Sequence, residues 1–237
     1  MRLSYLFALT LLLFSCRQSE NQVQVFNTTS FVLVDTILKG NKLLNFEELY
    51  SNYPIYFIGS QSDTVKIGNR YKVGQIKWSN DKNIFSCRKY TANNLKLFVD
   101  TSIKTTSTVE YFSENYKTFD STRSFKSFLL TLQNVSDSSL YLGRTFELYY
   151  LTRQVKNKNG QWVSLDKNLS EAELCLTGQP TITLHPKEII ISKCKRYTGS
   201  FLTDFRFAFG TKDNVVYSNI FKDFIDERII QSKFTDK

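Results

Sequence analysis

A single histidine, His185, limits the acid–base and metal chemistry open to this chain. Sites that need two imidazoles, such as a zinc-binding helix with paired histidines, are beyond one copy of it. His185 stands before Pro186 in Leu184-His-Pro-Lys-Glu188, which reads as a turn between strands, and a catalytic role would need a nucleophile and an orienting acid brought to it by the fold. Carboxylates offer a second route, since two of them about 5 to 9.5 Å apart can hydrolyse a glycosidic bond. Glu147, Glu171, Glu173 and Glu188 are the candidates, and nothing around them separates them from solvated surface charges. A carbohydrate-active enzyme therefore stands only as an alternative without a site. Nucleophile elbows of the Gly-x-Ser-x-Gly type, phosphate-cradling loops and calcium loops do not occur, and the nine glycines are spread singly. The expectation is a protein with no catalytic set, no metal and no cofactor.

Of the four cysteines, three follow residue 16: Cys87, Cys175 and Cys194. In an oxidising compartment one disulfide is permitted and one thiol is left over. Cys175 with Cys194 is the favoured pair, because Thr181–Leu184 and Ile189–Lys193 flank a turn and read as a hairpin that draws its ends together. A closed loop of about 20 residues would contribute about 3 kcal/mol in the chain-entropy treatment. The simplest hairpin register places Cys194 opposite Gln179 instead, so both arrangements stay open. No helix start or neighbouring histidine is present to activate a thiol.

Aromatic side chains give the remaining route to function, through recognition. Phe146, Tyr149 and Tyr150 with Trp162 form one group, and Phe201, Phe205, Phe207 and Phe209 another. A strand buries alternate positions only, so Tyr149 and Tyr150 cannot both face one core. With Trp162 they are the candidates for a partner-facing surface.

The elements that must hold these groups are strands. The chain is rich in Phe, Tyr, Thr, Val and Ile, which suit a pleated, half-buried surface. Strand patterns cover Ser127–Asn134, Leu140–Gly143, Phe146–Val155, Gln161–Leu165, Thr181–Leu184, Ile189–Lys193, Thr203–Phe209 and Asn214–Phe221. Asn159-Gly160 marks a hairpin of the type I′ kind. The best helical pattern is Lys42–Ser51, where Leu43, Phe46 and Leu49 share a face. Short strands at this spacing predict a mainly β protein, an antiparallel β-sandwich with one short helix. Ile58–Gly68 and Leu132–Gly143 each read as strand, Ser-Asp turn and strand ending in Gly. Read as a repeat, they divide residues 31–123 from 124–237 as two sandwiches in tandem; read as chance, they leave one large sandwich.

Residues 1–15 carry Arg2 and then an uncharged apolar run from Tyr5 to Phe14, the layout of a secretory signal peptide. The run is too short to span a bilayer, which takes about 20 residues. Leu13-Phe14-Ser15-Cys16 resembles the lipobox of bacterial lipoprotein precursors, with Phe14 in place of the usual small residue. That resemblance implies cleavage before Cys16 and acylation of its thiol, with polar residues 16–30 as a tether. It places the chain in the bacterial cell envelope, at the outer membrane, with its periplasmic or surface face undecided. Lys plus Arg number 31 against 22 acids, a net charge of +9, and residues 1–15 contribute only Arg2 to that excess. The charge suits an anionic membrane surface or acidic polymer, although the tightest groups, Arg88-Lys89, Lys156 with Lys158, and Lys193–Arg196, are too short for a binding tail. Export argues against nucleic acid.

Lys158-Asn-Gly-Gln-Trp-Val163, Cys175, Leu184–Glu188, Tyr197-Thr-Gly-Ser-Phe201, Phe205-Arg-Phe207 and Tyr217-Ser-Asn219 occur in an order that resembles exported Bacteroidota proteins carrying an immunoglobulin-like domain without assigned activity. The resemblance covers Phe128 to Phe221, and it implies a fold and a compartment rather than a chemistry. Asp35-Thr-Ile, Asp63-Thr-Val and Asp120-Ser-Thr resemble the short O-glycosylation acceptor of the same phylum. The expected function is binding or assembly at the membrane, with an envelope protein or glycan as partner. The alternatives are an immunity or inhibitor lipoprotein acting against a toxin or protease, and the glycoside hydrolase.

Overall fold

A continuous apolar run in a β protein marks a strand covered on both faces, and Ile189-Ile-Ile191 is the clearest such run here. The computed structural model describes residues 31–35, 43–44, 53–67, 87–112, 119–144, 147–166, 181–211 and 214–235. Its strands are β1 (Val32–Asp35), β2 (Leu43–Leu44), β3 (Ile55–Ser60), β4 (Thr64–Ile67), β5 (Arg88–Lys89), β6 (Leu95–Phe112), β7 (Phe119–Asn134), β8 (Leu140–Arg144), β9 (Leu151–Lys156), β10 (Trp162–Ser164), β11 (Thr181–Leu184), β12 (Glu188–Lys195), β13 (Phe201–Thr211), β14 (Asn214–Tyr217) and β15 (Phe221–Ile225). One helix, α1 (Glu227–Thr235), follows them. The protein is mainly β, a sandwich of several sheets that are mostly antiparallel.

The Ile run lies in β12, which sits between β3 and β7, antiparallel to both. β7 also pairs with the long β6 along its other edge. The inner face of this sheet supplies Ile55, Leu97, Val99, Leu130, Leu132, Ile190 and Cys194 to the main core, where they meet Leu140 and Leu142 of β8, Ile182 and Leu184 of β11, and Phe207 and Phe209 of β13. On the outer face, Tyr56, Leu129, Ile189 and Ile191 are covered by Val65 and Ile67 from the small parallel pair β1–β4. That pair is a third layer, and it explains why β12 is apolar on both sides. Opposite the main sheet runs β10-β9-β13-β14, with β15 also paired to β13, beside the smaller sheet β11-β8-β5.

Two expectations change. Leu43 and Leu44 are not helical; they pair in parallel with Ser124 and Phe125 of β7, and the rest of Lys42–Ser51 lies outside the described residues. An isolated ten-residue amphipathic pattern is marginal as a helix, and a sheet edge offers these leucines hydrogen-bond partners. The described helix is C-terminal instead. Asp226 caps it by accepting the Arg228 N–H at 2.9 Å, and Ile230 packs it against Tyr197, Phe205 and Ile225. Nor do Thr181–Leu184 and Ile189–Lys193 form a hairpin: β11 pairs with β8 in one sheet and β12 with β7 and β3 in another. His185-Pro-Lys187 is a crossover between sheets, with Lys187 at φ 63°. A strand buried on both faces must sit centrally, and β11 belongs to the other sheet.

The segments that resemble each other, Ile58–Gly68 and Leu132–Gly143, are crossovers of the same kind, since β3 and β4, and likewise β7 and β8, lie in different sheets. Residue 124 falls inside β7, and strands from both sides of it share one sheet and one core. Phe31–Lys237 forms one compact unit.

The short motifs in the second half serve packing. A Cβ on Gly199 would lie 2.0 Å from the Ile225 carbonyl carbon, so only glycine fits there. Asn219 stands in for a strand: its Oδ1 accepts the Val99 N–H at 2.8 Å and its Nδ2 donates to the Val99 carbonyl at 3.1 Å.

Candidate functional site

Alternation along β13 sends Phe205, Phe207 and Phe209 into the interior, where all three are buried. The same alternation sends Leu202, Asp204, Arg206 and Ala208 to the outer face of the sheet. β9 contributes Gln154, opposite Arg206, and Lys156 to that face; β10 contributes Trp162, opposite Lys156; β14 contributes Tyr217, opposite Ala208. β15 adds Lys222, opposite Asp204, and Phe224, opposite Leu202.

Arg206 is the centre of this surface. Its guanidinium lies 4.2 Å from the Trp162 ring centroid and 4.0 Å from that of Tyr217, and its Nε donates to Gln154 Oε1 at 2.8 Å. Among the described residues no carboxylate pairs with it. Burial between the rings pulls the guanidinium below its ordinary value, with Tyr217 opposing, yet an arginine stays charged throughout the physiological range. The result is a planar cation held by stacking, with its terminal N–H groups uncommitted to any acid. Such a fork matches carboxylate and phosphate geometry.

Beside it, Lys156 Nζ sits 3.0 Å from Asp204 Oδ2 and Lys222 Nζ sits 3.4 Å from Asp204 Oδ1. The hydrogen bond from Lys156 holds the Asp204 carboxyl below its ordinary value, against a smaller opposing effect of burial and with Lys222 assisting. Lys156 also lies 5.3 Å from the Trp162 ring centroid. Among the described residues, three cations and one acid make the face net positive. Its margin is apolar: Leu202, Tyr217, Ile220 and Phe224 are 51, 46, 56 and 45 % exposed.

Behind the face, Arg153 points inward from β9 and is buried, its guanidinium 4.7 Å from the Tyr197 ring centroid and 5.2 Å from that of Phe207. Among the described residues its Nε and Nη2 have no hydrogen-bond acceptor. Asp166 Oδ2 accepts from the Tyr53 hydroxyl and from the Arg153 backbone N–H, both at 2.6 Å. Burial, and then the Asp166 carboxylate, push the Tyr53 phenol well above its ordinary value, so it is a permanent donor. This network ties the β9–β10 hairpin to the first half of the chain.

The residues singled out from sequence are dispersed. Trp162 lies on the outer face. Tyr150 does not: it packs against the main core, its ring 6.5 Å from that of Phe209, and its carbonyl accepts the Gly210 N–H at 3.0 Å. Tyr149 is half-buried. Neither belongs to a strand, because β9 begins only at Leu151, after a turn closed by the Leu151 N–H on the Leu148 carbonyl at 2.9 Å. The alternation expected for Phe146–Val155 therefore starts too late to sort them. The Asn159-Gly160 turn does join β9 to β10, as a five-residue connection. Asn157 opens a β-turn that Gly160 closes, N to O 3.0 Å, and Gly160 alone has positive φ, 74°, so the turn is not type I′.

His185 is exposed, with Nδ1 2.9 Å from Ser139 Oγ. Glu188 accepts from the His185 backbone N–H at 2.8 Å rather than from its ring, so it caps the crossover and does not orient the imidazole. Glu147 bridges to Pro54 through the backbone. Cys194 is a buried thiol, its Sγ 3.7 Å from the Phe128 carbonyl, and it stands opposite Phe128 of β7 rather than Gln179. Its expected partner Cys175, together with Cys16, Phe146, Glu171 and Glu173, lies outside the described residues. The Asp35 carboxylate of the first acceptor-like triplet is engaged with Lys193 and Thr105, whereas Thr64 of the second is exposed at the start of β4. Among the described residues no three His, Cys, Asp or Glu side chains gather as metal ligands, and no helix is long and apolar enough to cross a membrane. The surface around Arg206 was readable in part, since the Phe205/207/209 alternation already places Arg206 on the opposite face. Tyr217 comes from a different strand, and nothing local signals that it meets Arg206.

No family model, curated protein or solved structure matches this chain.

Proposed function

We propose that this is a lipid-anchored protein of the bacterial cell envelope that works by binding, and that the outer face of the β9–β13 sheet takes an acidic partner. The anchor rests on the signal-peptide layout and on Leu13-Phe14-Ser15-Cys16; the order of motifs from Phe128 to Phe221 supports an immunoglobulin-like assignment of the sandwich. The observation that carries the binding surface is Arg206, fixed between Trp162 and Tyr217 and unmatched by any acid among the described residues. A surface arginine is ordinarily either mobile or ion-paired. One held rigid by rings and by Gln154 has already lost its rotamer freedom, so an incoming carboxylate gains a charge-assisted contact at low entropic cost.

Two measurements test this. Mass spectrometry of the mature protein is expected to show an acylated Cys16 as first residue; an unmodified chain beginning elsewhere defeats the anchor. Titration of the mature chain with polygalacturonate and with polyglutamate is expected to show salt-sensitive binding to at least one of them. Arg206→Gln should weaken it by about tenfold and Arg206→Lys nearly as much, because a lysine loses the planar fork. Binding to neither polymer, or an Arg206→Gln variant within twofold of wild type, removes the acidic-partner assignment.

A further inference from the structure

Of the seven exposed large apolar residues among those described, Leu202, Tyr217, Ile220 and Phe224 gather along one margin of the sheet. The register orders them. Tyr217 is level with Ala208, Phe224 is level with Leu202, and the bend carrying Ile220 lies between, so the stripe follows six residues of β13, about 20 Å at the rise of a strand. A single exposed apolar side chain needs no explanation, whereas a contiguous row on an edge strand marks a contact surface.

The one exposed charge within the row is a cation, and the described acids around it are ion-paired. Lys222 stands between Ile220 and Phe224 with its side chain 71 % exposed. Among the described residues, the acids nearby are all committed. Both oxygens of Asp204 are taken by Lys156 and Lys222. Asp223 is buried, with its Oδ1 2.6 Å from Arg196 Nη2. Asp226 is paired with Arg228. Leu, Ile, Phe and Tyr side chains flanking an exposed lysine, with no uncompensated carboxylate among them, match the boundary between headgroups and acyl chains of a bilayer that contains anionic lipid.

We infer that the β14–β15 margin docks on the anionic membrane surface, setting the sandwich edge-on and leaving the face around Arg206 open beside the bilayer. The acidic-partner reading is not needed for this. The lipid at Cys16 bears on it only through proximity: residues 16–30 cover at most about 50 Å whatever their path, which keeps the folded body within reach of the membrane and raises its effective concentration there.

The mature chain carrying Cys16→Ser, which has no acylation site, is sedimented with vesicles of phosphatidylcholine alone and of phosphatidylcholine with about one third phosphatidylglycerol. Binding is expected to the anionic vesicles and to fall steeply with salt. The double variant Ile220→Ser/Phe224→Ser should lose about tenfold or more, and Lys222→Glu about fivefold, with unchanged circular dichroism; both sites are exposed, so the fold has little to lose. Arg206→Gln should stay within about threefold, which separates this surface from the acidic-partner face. Failure of the Cys16→Ser chain to sediment with anionic vesicles overturns the inference, as does a double variant that binds like wild type or an Arg206→Gln variant that loses as much as the double. A chain that is dimeric in the ultracentrifuge, becomes monomeric in the double variant and ignores vesicles assigns the margin to a second copy and overturns it equally.

Discussion

Lys193 lies in β12 with its side chain fully buried, and its Nζ donates to Asp35 Oδ2 at 2.6 Å and to the Thr106 carbonyl at 2.8 Å. The Tyr56 ring centroid is 5.0 Å from the same ammonium. Asp35, on β1, is 16 % exposed and also accepts from the Thr105 hydroxyl at 3.0 Å. The pair thus fastens the β1–β4 layer onto the main sheet, and it is asymmetric. Removing the acid takes a carboxylate from a fully buried ammonium, whereas removing the lysine leaves a carboxylate that keeps the Thr105 hydroxyl and is partly exposed to water. Asp35→Ala is expected to cost about 3 to 5 kcal/mol, the usual cost of breaking a buried pair by removing one partner. Lys193→Met, which nearly conserves volume in apolar surroundings, should cost about 1 kcal/mol or less. The double variant should resemble Lys193→Met alone, because the buried ammonium that needs the carboxylate is no longer there. In thermal melts, for a unit of this size, about 2 to 4 °C per kcal/mol puts Asp35→Ala roughly 6 to 20 °C below wild type and Lys193→Met within about 4 °C. Urea unfolding followed by circular dichroism supplies the free energies. The reasoning fails if Asp35→Ala costs under about 1 kcal/mol, or if Lys193→Met proves the more damaging of the two.

Burial pushes the Cys194 thiol from an ordinary value near 9 to about 11, with Arg153 opposing. The folded state therefore keeps a proton that the unfolded state releases. Stability from this group is intact below about pH 9 and is lost between about pH 9 and 11 at about 1.4 kcal/mol per pH unit; a Cys194→Ala variant should lack that slope in denaturant melts, and an identical slope in both proteins assigns the loss elsewhere. Gly210 has φ +130°, and a Cβ there would lie 2.0 Å from the Asn214 carbonyl oxygen. Gly210→Ala should destabilise by about 2 kcal/mol or more and loosen the β13–β14 hairpin, read as faster amide exchange at Val216 and Tyr217; a neutral change would mean the backbone there relaxes freely.

How far the candidate site was legible can be judged strand by strand. Period-two alternation in Phe205-Arg-Phe-Ala-Phe209 separates inner from outer positions on β13 without help from the rest of the chain, and Asn159-Gly160 announces the β9–β10 connection. Tyr149 and Tyr150 misled, because the Phe146–Val155 pattern continues across a turn that hydrogen bonds create and residue types do not reveal. Asp204 between Lys156 and Lys222, and Arg206 between Trp162 and Tyr217, join three or four separate strands each. Such meetings depend on register.

By itself the sequence determined strand composition, most strand positions in the second half and the basic balance, because each of these is set by local chemistry or by short-period patterning. Only the tertiary structure decided that Thr181–Leu184 and Ile189–Lys193 part into different sheets, that Leu43-Leu44 adds a strand, that β1–β4 makes a third layer, and that an arginine is clamped between rings from two other strands. The physical reason is shared. Sheet pairing is non-local, its energy comes from side chains brought together over long separations in the chain, and no window of neighbouring residues contains both sides of the contact.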